Sequence, residues 1–275
     1  MDQQTQSKII QANVDTHQLE APIYEAIHYE IFNPTEQKRL HAALTEAAKS
    51  RPSLRALDLG CGTGNMTEKL LALGFIVDAV DLSKEMIEVL RSKRKSDIES
   101  GRLKTHVGLL EHVGLEPGYG LITSYSVIHH LPDYLTTIHQ CIRLLAPGGA
   151  YYIDHESLDP TRQNPLYRAL YTLFGTLHAV LRFPYLVWRK ILKTGFPTVY
   201  KKLRPNINYD MSDYWVHEGR SVNAEAIRAL ALKDGCEFQH TLYLSHGGRW
   251  MDYVLHPLFG SWCVNTQVMV IRKPL

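Results

Sequence analysis

Leu54-Arg55-Ala56-Leu57-Asp58-Leu59-Gly60-Cys61-Gly62-Thr63-Gly64-Asn65-Met66-Thr67 is the stretch around which the rest of the chain is arranged. Its first half is an apolar run of the length of a buried strand. Its second half is a glycine turn, Gly60, Gly62 and Gly64, leading into the helical spacing Met66, Leu70, Leu71, Leu73. Glycines at alternate positions let the backbone pass close beneath a ligand, where a Cβ would block the approach or strain the turn. The first N–H groups of the helix that follows have no partner within it and point at whatever sits above the turn. Asp81 lies 21 residues past Gly60 and closes a second apolar run, Phe75-Ile76-Val77-Asp78-Ala79-Val80. An acid at that distance suits paired hydrogen bonds to a ribose diol. The unit is built for an adenosine-containing molecule.

Glycine spacing narrows the choice. A dinucleotide site wants Gly-x-Gly-x-x-Gly, so that the helix packs tightly and receives a pyrophosphate. Here the third glycine falls one residue early, and Asn65 stands in its place. Asp58, just before the turn, would repel a pyrophosphate but pair with an amino group. Asp58-x-Gly60-x-Gly62-x-Gly64 together with Asp81 resembles the cofactor site of the class I S-adenosylmethionine-dependent methyltransferases. The resemblance covers roughly 34–156 and resumes from Ser221. The segments Ser126-Val127-Ile128-His129-His130-Leu131-Pro132 and Arg143-Leu144-Leu145-Ala146-Pro147-Gly148-Gly149 are similar to later motifs of small-molecule members, including the ubiquinone and menaquinone biosynthesis type.

What the resemblance implies is a Rossmann-like, doubly wound α/β domain over 34–275. Its mostly parallel, seven-stranded sheet would carry a helical lid inserted after the fifth strand, at 157–220. S-adenosylmethionine is the cofactor implied. Asp58 and the backbone of Gly60, Cys61, Gly62 and Gly64 would hold its amino-acid end and Asp81 its ribose. Leu82 and Met86 would pack on the adenine, and Ser124 is a further cofactor-binding candidate. One departure stands out: Gly108-Leu109-Leu110-Glu111 has leucine where the family often places an acid for the adenine amino group, leaving Glu111 or backbone atoms to take that part.

The residues also predict the elements. Asn33-Pro34-Thr35-Glu36 starts a helix with a cap, a proline in the first turn and a glutamate at the third position. Ser83 caps another. Strands are expected at 103–107, 120–125 and 150–154, and a helix over 132–145 that stops at Pro147-Gly148-Gly149. Such strand–helix alternation gives a parallel sheet covered on both faces, with ligands at the carboxyl ends of the strands. After an interruption, a helix at 224–233 and strands near 238–244 and 263–272 complete the set. Residues 1–33 form a separate N-terminal segment: 1 to about 20 are polar and unpatterned, expected to be loose. Tyr24, His28 and Tyr29 either line the cofactor site or pack on the sheet edge.

Composition is that of an ordinary globular protein, 45% hydrophobic and 21% charged, with a net charge of +2. Four cysteines without a Cys-x-x-Cys pair fit a reducing compartment. The polar start lacks the form of a secretory signal, which points to the cytoplasm. The block from Pro160 to Tyr209 holds nine Lys/Arg and no Asp/Glu. Leu166, Leu170, Leu173, Leu177 and Leu181 make a helical stripe flanked by basic residues. Contact of 166–204 with an anionic membrane surface or an acidic lipophilic substrate is one reading; a stripe packed on the sheet under a solvated basic face is the other.

Methyl transfer to oxygen or nitrogen needs positioning and a base for the acceptor's proton. Candidates sit at strand ends: His129 and His130 after the fourth strand, His155 and Glu156 after the fifth. Each histidine has a structural alternative. His129, His155 and Glu156 are residue types that could hold a metal, but no ligand spacing demands one and none is expected. His246 and Arg249 follow the penultimate strand and either reach the pocket or form a turn. Ser124-Tyr125-Ser126-Val127 lacks the Asp/Asn-Pro-Pro-aromatic segment with which base-modifying relatives grip a flipped base, so nucleic acid is disfavoured. The expected acceptor is small, and lipophilic or aromatic. A membrane lipid or quinone is the second reading, and a binding protein without turnover the third.

Overall fold

The computed structural model describes residues 1–50, 52–158, 164–170, 172–173, 209–212, 221–245 and 257–275. Seven strands form one sheet: β1 (Arg55–Leu59), β2 (Ile76–Asp81), β3 (Leu103–Val107), β4 (Tyr119–Tyr125), β5 (Leu145–Ser157), β6 (Glu237–Tyr243) and β7 (Thr266–Arg272). Their order is β3-β2-β1-β4-β5-β7-β6. The first five run parallel, and β7 runs antiparallel between β5 and β6. The sheet grows outward from β1 in both directions, so the crevice beside β1 and β4 is the switch point where such folds bind ligands.

Alternation along the strands sorts the core into two layers. Leu57, Leu59, Ile122, Tyr151 and Ile153 face one side, packed with α7 (Tyr134–Leu144) and α8 (Ala224–Lys233). Ala56, Val77, Ala79, Leu121 and Tyr152 face the other, under α4 (Pro34–Ala47), α5 (Asn65–Ala72) and α6 (Lys84–Lys93). Caps fix where these helices begin. The Asn33 side chain accepts from Glu36 N and the Ser83 hydroxyl from Met86 N, as their positions predict.

Three expectations change. Residues 3–20, expected loose, form helix α1 (Gln3–Glu20), with the Asp2 side chain accepting from Thr5 N. Its buried positions, Ile9, Ala12, Asn13 and Thr16, keep helical spacing. Two of the four are polar, which hides the periodicity from a hydrophobic reading. Second, β5 begins at Leu145 rather than Ala150: Leu145 pairs with Tyr119 and Ala150 with Leu121, so Ala146–Gly149 bulge outward. Third, Leu166 and Leu173 of the expected stripe are exposed, while Tyr167 between them is buried against Phe259. Leu177, Leu181 and most of the basic block lie outside the described residues. Between α1 and α4 the chain makes two short turns of helix, α2 (Tyr24–Ile27) and α3 (Tyr29–Phe32).

Candidate active site

The carboxyl ends of β1, β2 and β4 open into one cleft of about 770 Å³, its mouth included. Gly60 and Gly62 line it beneath, Leu82 and Met86 at the start of α6 line one wall, and Leu109, Leu110 and Glu111 extend that wall. Tyr125, Ser126, Val127 and His130 come from the end of β4 and the loop beyond. Asn13, His17 and Tyr24 come from the N-terminal segment.

Local structure explains the glycine turn. Gly60 has φ +66°, and a Cβ there would stand 2.4 Å from Val127 Cγ2. Gly64, at φ +104°, caps α5, and its Cβ would fall 2.5 Å from Leu90 Cδ1. The third glycine thus lets α5 and α6 close on each other. At the tip of β2, Asp81 Oδ2 accepts from Gly62 N and Oδ1 from Ser83 N, each at 2.8 Å. Two backbone donors therefore aim the carboxylate, and its remaining lone pairs suit a vicinal diol. Burial raises the Asp81 pKa, against the opposing pull of His17 and of the Ser83 and Gly62 N–H groups.

Comparison with known proteins gives this cleft a family. Residues 57–153 match the family described as a methyltransferase domain. A ubiquinone biosynthesis O-methyltransferase of Xanthomonas campestris pv. campestris is 34% identical over 127 residues, 43% of this chain and 52% of the relative. The protein of that description from Bordetella pertussis is 29% identical over 167 residues, 57% of this chain and 67% of the relative. Phosphoethanolamine N-methyltransferase 2 of Haemonchus contortus, solved with S-adenosyl-L-methionine, superposes with a TM-score of 0.57 at 15% identity, over 91% of this chain and 56% of its own. Residues 57–153 of the chain carry a methyltransferase domain. It spans about half the length of the Xanthomonas relative it matches.

The cofactor of this methyltransferase family is S-adenosylmethionine, and the cleft has the parts to hold it. It combines a carboxylate fixed by two backbone N–H groups, the apolar side chains of Leu82 and Met86, and an open backbone turn at Gly60 and Gly62. Leu109 and Glu111 both line the cleft, so the leucine at the expected acidic position leaves a carboxylate two residues on.

Of the nine sequence-predicted cofactor residues, Gly60, Gly62, Asp81, Leu82 and Met86 line the methyltransferase cleft. Asp58, Cys61, Gly64 and Ser124 lie beneath or behind it. Asp58 is buried, its Oδ2 accepting from Thr67 Oγ1 at 2.5 Å and its Oδ1 from Thr123 Oγ1 at 3.1 Å. It ties β1 to α5 and β4, and burial pushes its pKa up to about 7 despite both threonine hydrogen bonds. Ser124 Oγ meets the Tyr151 hydroxyl at 3.1 Å inside the core.

The four catalytic candidates separate. Glu156 is fully buried: Oε1 accepts from Val127 N (3.0 Å) and Ile128 N (2.9 Å), and Oε2 from His129 N (3.2 Å) and pairs with His129 Nδ1 (2.8 Å). Burial alone would raise its pKa, but His129 and these N–H groups bring it below the usual carboxylate range. The pair is a clasp that shapes the 127–129 loop, and neither side chain lines the cleft. His155, at φ +60°, meets Ser245 Oγ at 3.2 Å and packs its ring against Tyr125 at 4.9 Å. Among the described residues no group of acid, histidine and cysteine side chains converges to hold a metal.

His130 alone of the four lines the cleft. Its Nδ1 lies 2.7 Å from Ser212 O, which can only accept, so Nδ1 carries the proton and Nε2 the lone pair of the neutral ring. Burial, then the neighbouring His129 and His17, press its pKa well below 6.5. The ring is therefore neutral throughout the physiological range.

Tyr24 lines the cleft as one of its two expectations had it. His28 instead sits between Glu20 and Glu30; burial opposes its charge, but the two carboxylates win and raise its pKa to about 9. Tyr29 is exposed. His246 and Arg249 lie outside the described residues. Asn13, His17 and Ser126 were not anticipated. Ser126 takes φ +57° as its N–H donates to Asp154 O at 2.9 Å, a left-handed backbone that costs a non-glycine residue about 1–2 kcal/mol. Behind Tyr125 lies a further group: Arg39 bonds Glu36, Asp154 and the Tyr243 hydroxyl, while the Tyr125 hydroxyl donates to Glu36 and that of Tyr152 to Asp154. It joins α4 to β4, β5 and β6.

Proposed function

We propose that this chain transfers a methyl group from S-adenosylmethionine to an oxygen or nitrogen of a small, lipophilic or aromatic acceptor, with His130 taking the acceptor's proton. The observation that carries the reading is a neutral histidine at the end of β4, in the same cleft as the fixed Asp81 carboxylate. The cofactor supplies, when bound, a methyl already activated by its sulfonium. Asp81 holds the ribose, Leu82 and Met86 flank the base, and Gly60 and Gly62 admit the amino-acid arm. His130 Nε2 receives the proton as the acceptor attacks, while Ser212 O keeps Nδ1 protonated and the ring oriented. Glu156 and His129 hold the loop on which His130 stands.

An oxygen acceptor on a quinone-like ring is favoured by the relatives described as ubiquinone biosynthesis O-methyltransferases. The exposed Leu166 and Leu173, at the head of a basic segment, support membrane-surface contact as part of that version, with a cytoplasmic location. No helix among the described residues is long and apolar enough to cross a membrane.

Calorimetry with S-adenosylhomocysteine, with NAD as control, tests the cofactor; turnover on phenolic acceptors by wild type and His130→Gln tests the base. Binding of the homocysteine but not NAD, with turnover lost in the variant, supports the reading. Full turnover in His130→Gln removes the proton-transfer role. Sedimentation with anionic liposomes separates the membrane version from the purely soluble one.

A further inference from the structure

Among the described residues, Asn13 Oδ1 is the one buried, unpartnered side-chain polar atom that belongs to a residue lining the cleft. Asn13 is 3% exposed, on the inward face of α1. The orientation of its amide is determined: Nδ2 donates to Ile9 O and to His130 O, each at 3.0 Å, and two carbonyls accept only from the nitrogen end. The oxygen is left without a donor in a region where buried acceptors are almost always satisfied. One turn on, His17 lines the same cleft, and its Nδ1 engages Asn13 O at 2.9 Å. The helix is also fastened: Glu25, just beyond it, accepts from Thr63 in the glycine turn at 3.0 Å and pairs with Lys93 at 2.6 Å.

We propose that Asn13 Oδ1 takes its hydrogen bond from the bound cofactor, so that α1 recognises the cofactor rather than merely covering it. This rests on the methyltransferase reading. The chemistry required is a single N–H or O–H donor, which the cofactor offers at its α-ammonium and at its ribose hydroxyls. An asparagine suits a site beside Asp81, because it adds an acceptor without a second buried charge.

The test is calorimetric titration of the full chain with S-adenosylhomocysteine and with 5′-methylthioadenosine, which keeps the ribose and lacks the ammonium. Asn13→Ala is expected to weaken the homocysteine about tenfold, the scale of one hydrogen bond. Asn13→Asp, its buried carboxyl held protonated by the two facing carbonyls, keeps the acceptor and loses one of the two donor N–H groups, and is expected to stay within about threefold of wild type. A loss with the homocysteine alone assigns the contact to the ammonium; equal losses with both ligands assign it to the ribose. Wild-type affinity in Asn13→Ala overturns the proposal. So does equal weakening in both variants, which would mean that Asn13 acts only by pinning His130. If the wild type binds neither ligand, the cofactor reading itself falls.

Discussion

His130 is half-buried and Asp58 fully buried, and their surroundings send these two ionisable groups in opposite directions. His130 is held neutral, so protonation should not silence it until well below pH 6.5. The acid limb of kcat/KM is accordingly expected below that value, and a limb at or above pH 6.5 would count against His130 as the base. His130→Gln should lower kcat by about 10²–10⁴-fold while leaving S-adenosylhomocysteine affinity within a few-fold. Asp58 has its folded pKa raised from 3.8 to about 7. Between those values the folded state binds more protons than the unfolded chain, so stability falls as pH rises through this window and the loss is complete above pH 7. The full penalty is on the order of 4 kcal/mol. Asp58→Asn, which keeps the shape and the threonine partners, is expected to gain stability over wild type in urea unfolding at pH 8 and little at pH 4. An equal gain at both values would show that charge is not what the site opposes. If Asp58 also faces the cofactor's ammonium through the turn, the same variant weakens S-adenosylhomocysteine.

Among the elements, the clasp and the N-terminal helix do separate jobs. Glu156→Ala would leave three backbone N–H groups and His129 without their acceptor, a loss of about 3–5 kcal/mol of stability that also loosens the loop carrying His130. Deletion of residues 1–23 removes Asn13 and His17 but no strand; the sheet's circular dichroism should persist while S-adenosylhomocysteine binding weakens by at least about tenfold. The contrast also shows what the sequence makes legible. Asn33 and Ser83 work through neighbours three positions away, and the Gly60–Gly64 turn declares itself by the spacing of its own glycines, so these roles can be read from the sequence. Glu156 presents no such pattern: its partners are nearly thirty residues earlier, and a strand-end glutamate beside a histidine reads as easily as a base. Asn13 is harder still, because a polar residue on an uneven helix face looks like surface until the facing loop is known. The network of Glu36, Arg39, Asp154 and Tyr243 spans three elements, and only the assembled sheet brings them together.

At the level of the whole molecule, the strand order and the cleft at the switch point follow from the alternation of elements. The Asp81 position follows from its distance to the glycine turn. Saturating S-adenosylhomocysteine, at a hundred times its Kd, should add about 2.7 kcal/mol, or roughly 5–10 °C in the unfolding midpoint. Gly60→Ala should abolish that shift, because its Cβ meets Val127 and its φ is positive. Smaller side chains at Val127 should not restore it, since the backbone strain remains. One consequence of the sheet order concerns synthesis. β7 is made after β6 but lies between it and β5, so β6 cannot join the sheet as it leaves the ribosome. Until residues 266–272 follow, β5 keeps a bare flank and β6 has no strand to lean on. The nascent chain therefore passes through a stage with two open strand edges, and chaperone demand should be greatest just before β7 emerges.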